Sequence, residues 1–464
     1  MTRRTALFLV ALLFACDQRP SFSADAIAKA KLLAHAPPGF LLGTATAPHQ
    51  VEGGLHDDWS EWEKGSYPDG RPHIKDRSTA EVADDSWHRF DQDLAAMESL
   101  HANAYRFGVD WSRLEPSEGE WNDAAAAQYL HELDELSAAH ITPMVTLYHF
   151  TLPLWFAKKG GWLWSGAPAA FAWFAGKAGA TFGRRVDLWC TINEANVYAF
   201  KSYATGEWPP GDTDTVKMAH VLAALMKAHA LAAAALRKND TFDADGDGKA
   251  TRIGIAHHVR VFEPASPSAL DQVVTAATEA VFNESFPLAV KTGRIEISIP
   301  GAVTIDEPVA GLKGSLDWLG LNYYSRDFIR ADLSNPSLSV QYTPAARPKN
   351  DLGWDEYPEG LYLLLHRFSK YGWPLIVTEN GVADAAGNAR PAFLRAHLYA
   401  VDRALADGVK VEGYFHWSLI DNFEWADGYT AKFGLFSVDM NDPNLVRRPT
   451  SAVKVFQEAA ANLR

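Results

Sequence analysis

Two glutamates, Glu194 and Glu379, stand where short apolar runs end, each beside an asparagine in the pairs Asn193-Glu194 and Glu379-Asn380. Paired carboxylates suit acid/base or nucleophilic work. Flanking a glycosidic bond, one protonates the leaving oxygen while the other attacks the anomeric carbon or activates water. Their separation would set the stereochemistry, roughly 5 Å for retention and roughly 6.5–9.5 Å for inversion. One such glutamate alone is equally suited to partner an arginine or backbone amides; the pair points to chemistry. Other runs also end on groups a strand does not need: Tyr148-His149, Asn322-Tyr323-Tyr324 and Trp417. Trp417 and Trp425 flank Asp421, Asn422 and Glu424, a polar cluster ill suited to a core. An indole there offers a flat apolar face and an N–H donor, and a carboxylate can chelate neighbouring hydroxyls.

These residues need a scaffold that brings distant run ends together. Eight short apolar runs, at 40–43, 105–109, 143–147, 187–192, 253–256, 318–321, 375–378 and 413–417, read as strands buried on both faces. Helical patterns at 124–139, 216–237, 270–291 and 391–407 lie between them. Strands alternating with helices predict an α/β fold, a single (β/α)8 TIM barrel over 31–464. Its active site would lie at the C-terminal rim of the strands, where all of the polar run ends would meet.

The chain has 464 residues and a net charge of −14, from 43 Lys+Arg against 57 Asp+Glu. That excess of acid argues against a nucleic-acid partner. Of the two cysteines, Cys16 closes an N-terminal segment in which Arg3 and Arg4 precede a short apolar stretch. The stretch is too short to span a bilayer, so residues 1–30 read as a targeting segment outside the fold. Leu13-Phe14-Ala15-Cys16 resembles a lipobox. The expectation is export to the periplasm or cell exterior with lipid anchoring through Cys16; simple cleavage near Ala15 or Ala24 is the alternative. Cys190 then lacks a disulfide partner.

The sequence resembles glycoside hydrolase family 1, the β-glucosidase family, from about Phe40 to Arg448. Seven segments carry the likeness in the family's order: 40–53, 105–116, Val-Thr-Leu-Tyr-His-Phe-Thr-Leu-Pro (145–153), Thr-Ile-Asn-Glu-Ala-Asn (191–196), 320–325, Ile-Val-Thr-Glu-Asn-Gly (376–381) and Trp-Ser-Leu-Ile-Asp-Asn-Phe-Glu-Trp (417–425). The resemblance implies a retaining exo-β-glycosidase with Glu379 as nucleophile and Glu194 as acid/base, without a cofactor, acting on a small β-glycoside or oligosaccharide. It implies that Arg106 and Tyr324 support Glu379 and that Asn193 meets the sugar 2-hydroxyl. Gln50, His149, Trp417, Glu424 and Trp425 match its sugar-binding positions. The roles require a depressed pKa at Glu379 and a raised one at Glu194.

Three positions depart from the family pattern: Ala195 replaces a usual Pro, Phe150 a usual Trp and His49 a usual aromatic. Glu424 would repel a phosphate, so an unphosphorylated glycone is expected. The alternatives are a β-galactosidase, β-fucosidase or transglycosylase on the same site, or a silent glycan-binding barrel, which would lack one carboxylate. Trp162 and Trp354 are assigned to the leaving-group side. Asp243, Asp245 and Asp247 resemble the start of a calcium loop, but Gly254 stands where the bidentate Glu of such a loop belongs, and a polar turn accounts for the same residues. His257-His258 read as packing or hydrogen-bonding groups.

Overall fold

The computed structural model describes residues 20–463 except 300, 333 and 335–338. The lipobox and Cys16 lie outside the described residues. Eight parallel strands close into a barrel: β1 (Leu41–Ala45), β2 (Ala104–Gly108), β3 (Thr142–Thr146), β4 (Leu188–Asn193), β5 (Arg252–Pro264), β6 (Trp318–Ala331), β7 (Leu375–Asn380) and β8 (Val411–Trp417). Each pairs with the next, and β8 returns to β1 through five registered partners from Leu41↔Gly413 to Ala45↔Trp417. The fold is the predicted (β/α)8 barrel.

Alternation along each strand divides the side chains between the barrel interior and the helical ring. Ala104, Met144, Leu188, Trp318, Ile376 and Phe415 form one interior cluster. Trp318 fills so much of it that a Cβ on Gly254 would lie 2.2 Å from its indole. The larger cluster lies between the outer strand faces and helices such as Ala167–Phe182 and Thr215–Asn239. Cys190 is a buried free thiol.

The structure differs from the sequence reading in three places. β5 and β6 run far past 256 and 321, continuing as a paired ribbon to Pro264↔Ile329, with strand Ser339–Tyr342 added antiparallel to β6. Beyond Ala256 the chain mixes polar and apolar residues, so a rule seeking continuously apolar runs stops too early. The pattern at 270–291 is not one regular helix: Ala269–Glu279 and Ser285–Thr292 are joined by a π-helical turn at Ala280–Glu284. Residues 20–30, assigned to the targeting segment, pack on the barrel. Ser23 caps helix Ala24–Lys29, the Phe22 ring meets Tyr362 and Tyr399 edge-on, and its backbone N–H donates to Glu359 at 2.9 Å.

Candidate active site

Glu194 and Glu379 both sit at breaks in strand pairing. The β4–β5 register shifts between Cys190 and Asn193, and the β6–β7 register between Val377 and Glu379. Such irregularities re-aim side chains at barrel rims. Glu194 also has left-handed backbone (φ 45°), as do Phe150 (φ 74°) and Trp425 (φ 48°). That conformation is costly for residues with a Cβ and is tolerated where surroundings hold it. Ala195 is the first residue of helix Ala195–Tyr203. Its N–H needs no helical acceptor there, so replacing a proline removes rigidity without changing the hydrogen-bond ladder.

Arg106, fully buried inside the barrel, ties the floor together. Its Nη1 donates to Glu379 Oε1 at 2.5 Å, Nη2 to Asn193 Oδ1 at 2.7 Å and Nε to Thr146 Oγ1 at 3.2 Å. Tyr324 donates to the other Glu379 oxygen at 2.6 Å. Asn322 Nδ2 donates both to Asn193 Oδ1 (3.0 Å) and to Glu194 Oε1 (2.8 Å). With two donors on its oxygen, the Asn193 amide is oriented, and its Nδ2 faces His149 Nε2 at 3.0 Å. That leaves the His149 proton on Nδ1, which is buried without a protein partner. The two asparagines beside the glutamates thus differ: Asn193 belongs to the site, whereas Asn380 bonds the Tyr323 carbonyl and Tyr414 hydroxyl.

The pocket wall brings the other expected residues together. The amide nitrogen of Gln50 reaches Asn422, the Phe423 carbonyl and Glu424, leaving a buried Oε1 acceptor without a protein partner. His149 stacks near Trp417 and Trp425, at ring distances of 5.8 and 6.0 Å. Phe150 meets Trp425 edge-on at 5.2 Å, filling the position of the usual Trp. His49 stacks on Trp425 within 7° of parallel and bonds Asp57 at 2.9 Å. Although burial disfavours its charge, Asp57 and Glu63 raise the imidazole to about 10, making it a buried cation behind the indole. Glu424, half-buried, is pushed up to about 8 by desolvation and by the charges of Asp427 and Glu379.

The carboxyl pair reverses the order expected from sequence. Burial pushes Glu379 up to about 7; Arg106 opposes the rise, the charge on Glu194 adds to it, and Tyr324 opposes it. Burial also pushes Glu194 up, but His258, Asn322 and Arg260 outweigh it and hold that carboxyl below the ordinary range. Each carboxyl feels the other's charge, so the two titrate together rather than independently. When a proton sits on Glu194, the push on Glu379 disappears, and Arg106 and Tyr324 favour its ionised form.

Two residues join the site beyond those expected from sequence: His258, whose Nδ1 lies 2.8 Å from Glu194 Oε1, and Asn322, whose Nδ2 donates to the same oxygen. Both stood in runs already singled out, but only the fold places them beside Glu194. His257 bonds the Asn283 carbonyl, a packing role as expected. Trp354 lies at the rim, 5.7 Å from the Tyr324 ring and 6.0 Å from the Arg260 guanidinium. Trp162 does not: it is buried among Tyr148, Phe156 and Phe171, because its surroundings on the third strand and the following helices are aromatic core. Asp243 and Asp245 do meet near Asp187, with oxygens within 4.8 Å of one another. Asp187 accepts from the Ala244 and Asp245 amides, and Asp243 from those of Gly246, Asp247 and Gly248, the bonding of a polar turn.

Comparison with known proteins agrees with this architecture. Residues 33–463 match the family model described as Glycosyl hydrolase family 1. A 1,4-beta-D-glucan glucohydrolase from Thermotoga neapolitana is 34% identical over 87% of this chain and 98% of its own length. A Pyrococcus woesei beta-galactosidase is 30% identical over 92% of this chain and 97% of its own. The solved beta-glucosidase from Thermotoga maritima in complex with glucoimidazole superposes with a TM-score of 0.82 at 29% identity, covering 93% of this chain and 99% of that one. A match spanning the whole barrel, with relatives aligned over nearly their full length, makes the chain a member of glycosyl hydrolase family 1 and a glycoside hydrolase.

Proposed function

We propose that the enzyme is a retaining exo-β-glycosidase, foremost a β-glucosidase, that removes terminal unphosphorylated β-D-glycosyl residues by double displacement. The observation that carries this reading is Glu379 gripped by Arg106 and Tyr324 on separate oxygens. That grip aims a carboxylate and spends no proton on it. In the first step Glu379 attacks the anomeric carbon as the bond to the aglycone oxygen breaks, and Glu194 gives that oxygen its proton. Esterified Glu379 no longer carries charge, so Glu194 loses a negative neighbour and its carboxylate persists. Glu194 then takes a proton from water, whose oxygen attacks the anomeric carbon and releases Glu379. The nucleophile, the acid and the base of both steps are protein side chains, and water is the second substrate.

Asn193, with one amide proton directed toward His149, has a second for the sugar 2-hydroxyl. Gln50 Oε1 and the His149 Nδ1–H are an unpaired acceptor and donor matched to hydroxyls. Beside Gln50, Glu424 offers a carboxyl and no cation where a phosphorylated glycone would need one. Relatives named for glucan and for galactoside hydrolysis make gluco- against galacto-preference the finer question. Hydrolysis of a panel of aryl β-glycosides, with the product anomer followed by NMR, tests both points. The β-anomer is expected first, with the glucoside preferred; an initial α-anomer rejects retention. Glu379→Ala should lose at least about 10⁴-fold in kcat on every substrate. Glu194→Ala should spare glycosylation by good leaving groups and respond to azide. Arg3-Arg4, the apolar stretch that follows and the Leu13-Phe14-Ala15-Cys16 run support a reading as an export signal, with Cys16 as the site of lipidation.

A further inference from the structure

The β5 extension carries two groups that reach Glu194 from outside the catalytic pair. Glu194 Oε1 receives His258 Nδ1 at 2.8 Å and Asn322 Nδ2 at 2.8 Å. On the far side of the imidazole, Arg260 Nε donates to His258 Nε2 at 2.9 Å. A guanidinium nitrogen only donates, so Nε2 must accept and the ring proton must sit on Nδ1. The Nδ1–H therefore donates to Glu194, and the ring is held in a single orientation between the two.

Arg260 is itself immobilised. Its Nη1 meets Asp327 Oδ2 at 2.8 Å, an oxygen also bonded by Gln341 at 2.7 Å. Its backbone N–H and carbonyl are both clamped by the side chain of Asn283, at 3.1 and 2.8 Å. Asn283 belongs to the π-helical turn, a local widening that presents it to the strand. The His258 ring lies nearly parallel to Tyr324 at 5.8 Å and edge-on to Phe282 at 5.7 Å.

We propose that His258 and Arg260 are positioning residues for Glu194: they keep its Oε1 a permanent acceptor and so direct the catalytic proton to Oε2. This rests on Glu194 being the acid/base. Oε1 already takes two N–H donors, so a proton there would displace one of them. Oε2 has no hydrogen-bond partner among the described residues and is left to the leaving-group oxygen. The charged and titratable groups facing this assembly are Glu379 and Arg106 from β7 and β2, Tyr324 and Asp327 from β6, His257 on β5, and Glu279 and Glu284 from the helices around the π turn. Among them, the Arg260–His258 arm bonds Glu194 while Arg106 bonds Glu379, so each carboxyl has its own cationic support.

The test is kcat/KM against pH on two aryl β-glucosides, one with a good and one with a poor leaving group. His258→Leu removes a donor to the charged form of Glu194 and should raise its pKa. The basic limb should move up by about one pH unit, the worth of one hydrogen bond to a charged group. Loss should fall mainly on the poor leaving group, by about 10- to 100-fold, the scale of an impaired general acid. His258→Asn, which restores an N–H near the Nδ1 position, should recover much of both effects. An unmoved limb with equal losses on both substrates would reduce His258 to a packing role and overturn the proposal. A second readout needs no active variant: ¹⁵N NMR of histidine-labelled wild-type enzyme, with the signal assigned by its loss in His258→Asn. A protonated Nδ1 and bare Nε2 are expected, and a protonated Nε2 rejects the tautomer. Glu194→Ala is measured in parallel. If it lacks leaving-group dependence and azide response, the acid/base reading itself fails, independently of His258.

Discussion

On the proposed double displacement, Glu194 and Glu379 start with one proton between them, which makes activity depend on pH in a specific way. The pair works with one proton, so kcat/KM should be bell-shaped. Its basic limb should mark the loss of the acid/base proton from the interacting Glu194–Glu379 pair. Rates still rising above pH 9 would show that this pair does not govern the reaction. Glu424 illustrates function set against stability. Its carboxyl is raised to about 8, so its contribution to stability is full below the ordinary value of 4.5 and lost as pH rises through 8. Glu424→Gln should therefore raise the melting temperature more at pH 9 than at pH 5, while lowering kcat/KM on glucosides by about 100-fold through lost sugar contacts. Equal shifts at both pH values would sink the electrostatic account. Glu194, Glu379 and Glu424 were legible in sequence because they occur in distinctive polar runs. Asn322 and His258 were weaker signals, because an Asn or a His after a strand more often satisfies packing. Only their contacts raise them above that reading.

At the scale of elements, strand register decides which of two adjacent residues enters the pocket. The pairing breaks at Asn193 and Glu379 turn consecutive residues toward different neighbours, which strict alternation would not allow. The long β5–β6 ribbon and the π turn are coupled through Asn283. Asn283→Ala should lower kcat/KM on poor leaving groups several-fold by loosening Arg260, with a smaller effect on good ones; a uniform loss would point to general destabilisation instead. At the other end of the chain, the Phe22 ring contributes two edge-on aromatic contacts. Phe22→Ala should destabilise by about 1–2 kcal/mol, read as a lowered thermal midpoint with activity at 25 °C preserved. No change would show that residues 20–30 add nothing to the folded body. Strand and helix positions were legible because buried parallel strands are continuously apolar. The ribbon and the π turn were not, since one mixes polar with apolar residues and the other interrupts a helix without changing its amphipathic pattern.

For the whole molecule, several buried groups bind protons more tightly in the folded state than in the unfolded one. Glu52 and Glu379 are raised to about 7, with burial the main cause, and His49 to about 10 by its carboxylate partners against burial. The carboxyl contributions are full below 4.5 and lost as pH rises through 7; that of His49 is full below 6.5 and lost through 10. The melting temperature should accordingly decline from pH 6 to pH 10, and a rise over that interval would contradict the assignment. Fractionation of the expressing cells, with mass spectrometry of the mature N-terminus, tests export: a diacylglyceryl Cys16 is expected, and an intact Met1 in the cytoplasm rejects it. The order of apolar runs and helical patterns determined the barrel, because a strand buried on both faces and an amphipathic helix allow few arrangements when they alternate eight times. The polar residues at the run ends pointed to acid/base or nucleophilic work on one rim, and the seven-segment resemblance to glycoside hydrolase family 1 named the reaction class. Only the tertiary structure decided which oxygen of Glu194 is held, and that His258 belongs with Glu194 while Trp162 belongs to the core. Those outcomes depend on hydrogen bonds and charges between residues far apart in the chain, whose distances no local pattern encodes.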